Sequence, residues 1–251
     1  MQVTRIGCRH LFAPRHRCRR HPQATLRPPT EPLIPGAAFK ASGTDEGELH
    51  MVYEPKNFDH LIGKVPGLSE AQLKAHFGLY QGYVKKLNEI WEKLGKTDKS
   101  APNYSFNEYS ELRRREPVAN NGTVLHELYF GNLGKQGQPS EDLKKAIVDS
   151  FGSMDNWIAD TKACLASAHG WTLTVFDYHF MKVRNVLVRT EHDVGLMANQ
   201  GILVALDAWE HAYMIDYGTK KPDYIAAVMN ALDWNAINER WKWCTGGAQA
   251  R

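Results

Sequence analysis

The run Asp207-Ala208-Trp209-Glu210-His211-Ala212-Tyr213 sets a carboxylate and an imidazole four positions apart. Both can reach one cation at that spacing. Gly201-Ile202-Leu203-Val204-Ala205-Leu206 precedes it and reads as a buried strand, from its length and branched apolar content. A carboxylate delivered into the interior by such a strand is costly unless it is paired or bound to a cation. The same spacing also fits an Asp that caps the next helix and a His on that helix's face.

The wider string separates these readings. Asp-x-Trp-Glu-His-Ala-Tyr at 207–213 resembles the signature of the iron/manganese superoxide dismutase family. The resemblance continues through Asp216-Tyr217, Lys221-Pro222-Asp223-Tyr224, Asp233-Trp234 and Asn238-Glu239-Arg240-Trp241, and covers the chain from about Tyr53 to Trp241. His76 in Ala75-His76-Phe77-Gly78 and His126 in Leu125-His126-Glu127-Leu128-Tyr129-Phe130 match the family's two other ligand positions. The resemblance implies a metal set of His76, His126, Asp207 and His211, holding one iron or manganese ion per subunit. Three imidazoles and one carboxylate suit such an ion, with a position left for solvent. The implied reaction is dismutation of the superoxide anion by a dimer or a dimer of dimers.

Further roles follow from the same resemblance. Tyr83 lies seven residues after His76, on the same helix side, and matches the family tyrosine that guards the substrate funnel and helps deliver protons. A hydrogen bond to bound solvent tunes the metal potential. The family's iron-type position for that donor, four before the second ligand histidine, is Gly122, which has no donor side chain. His192, fifteen residues before Asp207, is the better candidate, with Gln200 as a weaker one. Glu210 would reach across a dimer interface to the neighbour's His211. Trp171, Trp209, Tyr129 and Phe130 would wall the cavity. The family's usual outer His–Tyr pair is replaced by Tyr80 (or Leu79, depending on the gap) and Met214, which puts the proton path in question. The competing function is a catalytically idle relative that keeps the fold as a structural or binding protein. A metal-dependent hydrolase fits poorly, because no spare acid stands beside the ligands.

The elements that must position these residues are legible from periodicity. Ser69 with Gln72 forms a capping box, and Leu73, His76, Phe77, Tyr80, Tyr83, Val84, Leu87 and Ile90 recur at helical spacing. A second helix is expected from Gly122 to about Asn132. Glu141–Phe151 and Met154 to about Ala168 follow, the latter capped by Ser153. Trp171–Phe176, Val183–Val188 and Ile202–Leu206 read as strands, and Pro222 to about Leu232 as a closing helix. The expected fold is α+β: an N-terminal helical hairpin domain at 51–137, then an α/β domain at 138–251 with a small three-stranded antiparallel sheet.

Residues 1–50 differ from the rest. Met1–Thr30 contains seven arginines and no acid. Three readings compete: a start set too early, with Met51 the real beginning; a transit peptide; and a disordered basic arm. No apolar run follows those charges to make a secretory signal. Composition is that of a globular protein, 43% hydrophobic with a net charge of +3, and argues against a nucleic-acid or membrane partner. The four cysteines include no CxxC pair, which fits reduced thiols in a cytoplasmic protein, or an organellar one if the tail is a transit peptide.

Overall fold

A computed structural model of the chain describes residues 39–43 and 49–246. Expectations for 1–38 fall outside the described residues. Strands β1 (Phe39–Gly43) and β2 (Leu49–Tyr53) pair antiparallel, so the boundary expected at residue 50 falls inside a strand.

Helix α1 spans Glu70–Lys96 and starts as expected, with Ser69 Oγ accepting from the Gln72 N–H at 3.1 Å. Glu70 in its first turn and Lys93 and Lys96 in its last complement the helix dipole. Helix α2 spans Glu108–Phe130, much longer than its sequence suggested. Pro117 and the Asn120-Asn121-Gly122 run hide its first half, because an interior proline removes a backbone donor at a cost of about 3 kcal/mol. Packing offsets this: Leu87, Ile90 and Leu94 of α1 close over Ala119 of α2. The two helices form the expected hairpin.

Helices α3 (Glu141–Phe151) and α4 (Met154–Ser167) follow, with Gly152 between them in a left-handed conformation at φ 84°. Then come β3 (Trp171–Asp177), β4 (Lys182–Val188) and β5 (Gln200–Asp207), an antiparallel sheet in the order β4-β3-β5. Central β3 is buried along its whole length, and Thr174 is used inside: Trp157 of α4 donates Nε1–H to Thr174 Oγ1 at 3.2 Å. Register pairs Trp171 with Asp207, so the C-terminal end of β5 lies beside the start of β3. A 3₁₀ turn at Glu210–Ala212 and the short α5 (Met214–Tyr217) lead to α6 (Lys221–Asn230) and α7 (Trp234–Gly246). The sequence reading missed α7.

One core of buried side chains runs from Leu73 and Tyr80 through Leu125 and Phe130 to Trp171, Leu206 and Tyr224. It joins hairpin to sheet, and the described residues lie in one compact unit. Among the described residues, no helix is long and apolar enough to cross a membrane.

Candidate metal centre

Four side chains converge where the hairpin meets the end of β5: His76 from α1, His126 from α2, Asp207 from β5, and His211 from the 3₁₀ turn that follows. One donor atom from each lies within 4.8 Å of all the others. Nε2 of His76 and Nε2 of His211 each stand 3.2 Å from Asp207 Oδ2, and Nε2 of His126 stands 3.7 Å from it. His76, His126 and Asp207 are fully buried; His211 is partly exposed.

Local bonds explain why these groups face one point. Asp207 Oδ1 accepts from the Trp209 N–H at 2.9 Å, which aims Oδ2 at the histidines. The Asp207 carbonyl accepts from the Tyr224 hydroxyl at 2.7 Å, and Tyr129 lies 3.2 Å behind Tyr224, oxygen to oxygen. Since Tyr224 donates forward, Tyr129 donates to Tyr224. Gln72 grips the segment carrying His211: its Nε2 donates to the His211 carbonyl at 2.6 Å and its Oε1 accepts from the Ile215 N–H at 3.1 Å. The Gln72 side chain therefore does not complete the reciprocal half of the expected capping box. Tyr224 and the bridging role of Gln72 were missed from sequence. The Lys221-Pro222-Asp223-Tyr224 string marks Tyr224 but not its target.

The donor set can be tested for fit to a cation. His126 Nδ1 bonds the Gly122 carbonyl, so that nitrogen carries the proton and Nε2 turns its lone pair inward. Yet His126 Nε2 is buried with no hydrogen-bond partner. Burial lowers the His126 pKa well below the ordinary imidazole value, and burial also lowers that of His76 despite the opposing pull of Asp207. Both rings are then neutral at physiological pH. Burial opposes ionisation of Asp207, but bonds from His211 and His76 outweigh it and hold the carboxyl well below the usual carboxylate range. One buried anion bordered by three imidazole Nε2 atoms, one of them an orphaned lone pair and two able to exchange their protons for a metal, is the arrangement a di- or trivalent ion satisfies. Aromatic groups wall it: Phe130 lies 4.9 Å and Tyr129 5.2 Å from the His76 ring, Trp171 lies 5.0 Å from His126, and Trp209 stacks on His211.

Tyr83 and His192 meet beside this cluster. Trp171 Nε1–H, a donor only, gives its hydrogen to His192 Nδ1 at 2.7 Å. Burial lowers the His192 pKa, so the ring is neutral and its proton sits on Nε2. That Nε2–H then donates to Tyr83 Oη at 2.7 Å, leaving the Tyr83 hydroxyl hydrogen free to donate elsewhere. Both His192 nitrogens are therefore engaged, and any bond from His192 to bound solvent would be shared with Tyr83. Tyr83 also stacks on His126 at 5.3 Å within an unbroken α-helix, as its seven-residue spacing from His76 required. Gln200 is at the opposite end of β5 from Asp207 and bonds Asp177, which removes it as a tuning candidate.

The departures from the family pattern have structural counterparts. Tyr80 is fully buried and donates to Glu127 Oε1 at 2.8 Å, while accepting from the Lys56 N–H at 2.9 Å. Tyr53 and the Lys56 ammonium bind the same carboxylate. Met214 is exposed. Glu210 is about half exposed, its carboxylate 3.7 Å from His169 Nδ1.

Residues 139–240 match the family model described as iron/manganese superoxide dismutases, C-terminal domain. An iron superoxide dismutase of Aquifex pyrophilus is 40% identical over 197 residues, covering 75% of this chain and 91% of that protein. The chain belongs to the iron/manganese superoxide dismutase family. Another relative is the iron superoxide dismutase of Cupriavidus metallidurans, 35% identical over 76% of this chain and 97% of its own length. A superoxide dismutase of Halobacterium salinarum named for manganese is 33% identical, over 75% of this chain and 92% of its own. The small three-stranded sheet and the hairpin are those of a superoxide dismutase of this family.

Proposed function

We propose that this chain dismutates superoxide, converting two superoxide anions and two protons to oxygen and hydrogen peroxide, at one iron or manganese ion. His76, His126, Asp207 and His211 would hold the ion. The observation that carries this reading is the orphaned, buried Nε2 of His126 facing the Asp207 carboxylate that His76 and His211 also address.

When bound, the metal supplies one-electron exchange, alternately taking an electron from superoxide and giving one back. The protein does the rest. Asp207 contributes the one negative charge, and its bond from the Trp209 N–H keeps Oδ2 free for the ion. The bond from His126 Nδ1 to Gly122 presents Nε2. Peroxide formation consumes two protons, and the Tyr83 hydroxyl is the group with a hydrogen to give, because its oxygen already accepts from His192. Trp171, Tyr129 and Phe130 exclude bulk water, which strengthens each of these interactions.

We also infer a homodimer in which Glu210 reaches the neighbour's His211. Support comes from its half-exposed carboxylate and from Met214 and Ile215, which are exposed a few residues further along the chain. Two ligands precede residue 137 and two follow it, which is the ground for dividing the chain there into two domains. Removal of superoxide would make it an antioxidant, and its cysteine usage supports a reducing compartment: the cytoplasm, or an organelle if the basic N-terminal tail is a transit peptide.

The test is reconstitution of the full chain separately with iron and with manganese, followed by stopped-flow measurement of superoxide decay. Rapid catalytic decay with at least one metal is expected. Slow, uncatalysed decay with both, at full occupancy, would overturn the reading in favour of an idle relative.

A further inference from the structure

The turn that carries His192 is unusual in its backbone. Glu191 and His192 are consecutive non-glycine residues with φ of 67° and 62°. A left-handed Glu crowds its Cβ against the carbonyl, and such a conformation persists where surrounding structure holds it. The turn nevertheless has to put the His192 ring between Trp171 and Tyr83.

The contacts that hold it come from α2. Asn121 Nδ2 donates to the His192 carbonyl at 2.9 Å. The orientation of that amide is set by Asn120, whose Nδ2 donates to Asn121 Oδ1 at 3.1 Å. Arg115 reaches Glu191 at 3.3 Å, but both side chains are more than 60% exposed, so this pair holds the turn weakly. Asn121 is half-buried and precedes Gly122, the residue on which the Tyr83 ring rests. One stretch of α2 thus seats Tyr83 and His192 and, five residues after Asn121, supplies His126.

We propose that Asn121 is a positioning residue for the Tyr83–His192 pair: its amide clasps the left-handed Glu191–His192 turn, so that His192 Nε2–H meets Tyr83 Oη. The inference rests on the reading that Tyr83 and His192 serve superoxide dismutation. Without the clasp, Glu191 relaxes to a right-handed or extended conformation and the ring swings out of line.

Asn121→Ala removes the donor, and Asn121→Asp replaces it with an acceptor of the same size. The full chain carrying each change, loaded with iron or manganese, is compared with the unaltered protein by metal analysis, crystal structure and steady-state kinetics. Both variants are expected to keep their metal and to show the His192–Tyr83 hydrogen bond broken. Their kcat should fall about tenfold, with a smaller loss in kcat/KM. Adding Glu191→Gly to Asn121→Ala, which frees the left-handed φ of steric cost, should restore both the bond and kcat. An intact His192–Tyr83 bond in Asn121→Asp and Asn121→Ala overturns the proposal. Failure of Glu191→Gly to rescue does so too, as does loss of metal together with the bond, which would mark a general folding role. If the unaltered chain consumed no superoxide, the functional reading would fail, while the crystal structures would still decide the clasp.

Discussion

The Tyr83 ring fills the space a side chain on Gly122 would need: a Cβ at Gly122 would stand 2.4 Å from Tyr83 Cδ1. The position four before His126 and the tyrosine seven after His76 are therefore one packing unit. Gly122 not only lacks a donor; it makes room for the Tyr83 ring, which stacks on His126 and bonds His192.

Gly122→Ala should accordingly destabilise the protein. At an open helical position the change would gain up to about 1 kcal/mol. Here the ring must move, and overpacking of this kind costs about 1–3 kcal/mol. Denaturant unfolding gives the sign, and a gain in stability would show that Tyr83 yields without strain.

Tyr80→Phe separates proton delivery from architecture. The change removes a bond to Glu127 and strands the Lys56 N–H, at a cost of about 1–3 kcal/mol. Metal content and turnover should stay near those of the unaltered protein, because Tyr80 points away to the Glu127 cluster. A variant of normal stability that had lost turnover would instead place Tyr80 on the proton path.

Metal-free protein should lose stability in mild acid. The folded-state pKa values of His76 and His126 lie below that of an exposed imidazole. Below about pH 6.5 the unfolded chain therefore binds more protons than the folded one. Their contribution is fully present above that value and is lost as pH falls through the lowered folded-state values. Each group can add about 1.4 kcal/mol per pH unit to the slope. The depressed Asp207 acts in the same direction in a more acidic window, below about pH 4. Urea unfolding of the metal-free chain across this range measures the slope, and a flat profile would mean that the buried imidazoles are already protonated when folded.

Glu210→Ala should weaken both dimerisation and metal retention. A two-fold axis repeats each contact, so one substitution breaks two bridges. Light scattering and metal analysis on the same sample report both properties. A variant that stays dimeric and fully metallated would reduce Glu210 to a surface acid facing His169.

Most of this architecture was legible in the sequence, for identifiable reasons. Helix α1 carries an apolar stripe and a Ser cap, and the sheet strands are apolar or alternating runs ended by turns. Asp207 and His211 were legible as a pair from their four-residue spacing, but their convergence with His76 and His126 followed from resemblance, since residues on separate helices share no local spacing with them. The first half of α2 was hidden by Pro117 and by Asn120-Asn121-Gly122, whose propensities favour turns; tertiary packing against α1 overrides them. The contacts of Gln72 and Asn121 were invisible because each amide reaches a backbone carbonyl more than 70 residues away, at His211 and His192. A carbonyl target leaves no mark in side-chain chemistry.

X-ray absorption at the metal edge of the full-length protein tests the shared metal site most directly. We expect a shell of nitrogen and oxygen at about 2.0–2.2 Å, with outer scattering from three imidazole rings and no sulfur. A sulfur shell near 2.3 Å, or fewer than three imidazoles, would contradict a centre built from His76, His126, Asp207 and His211.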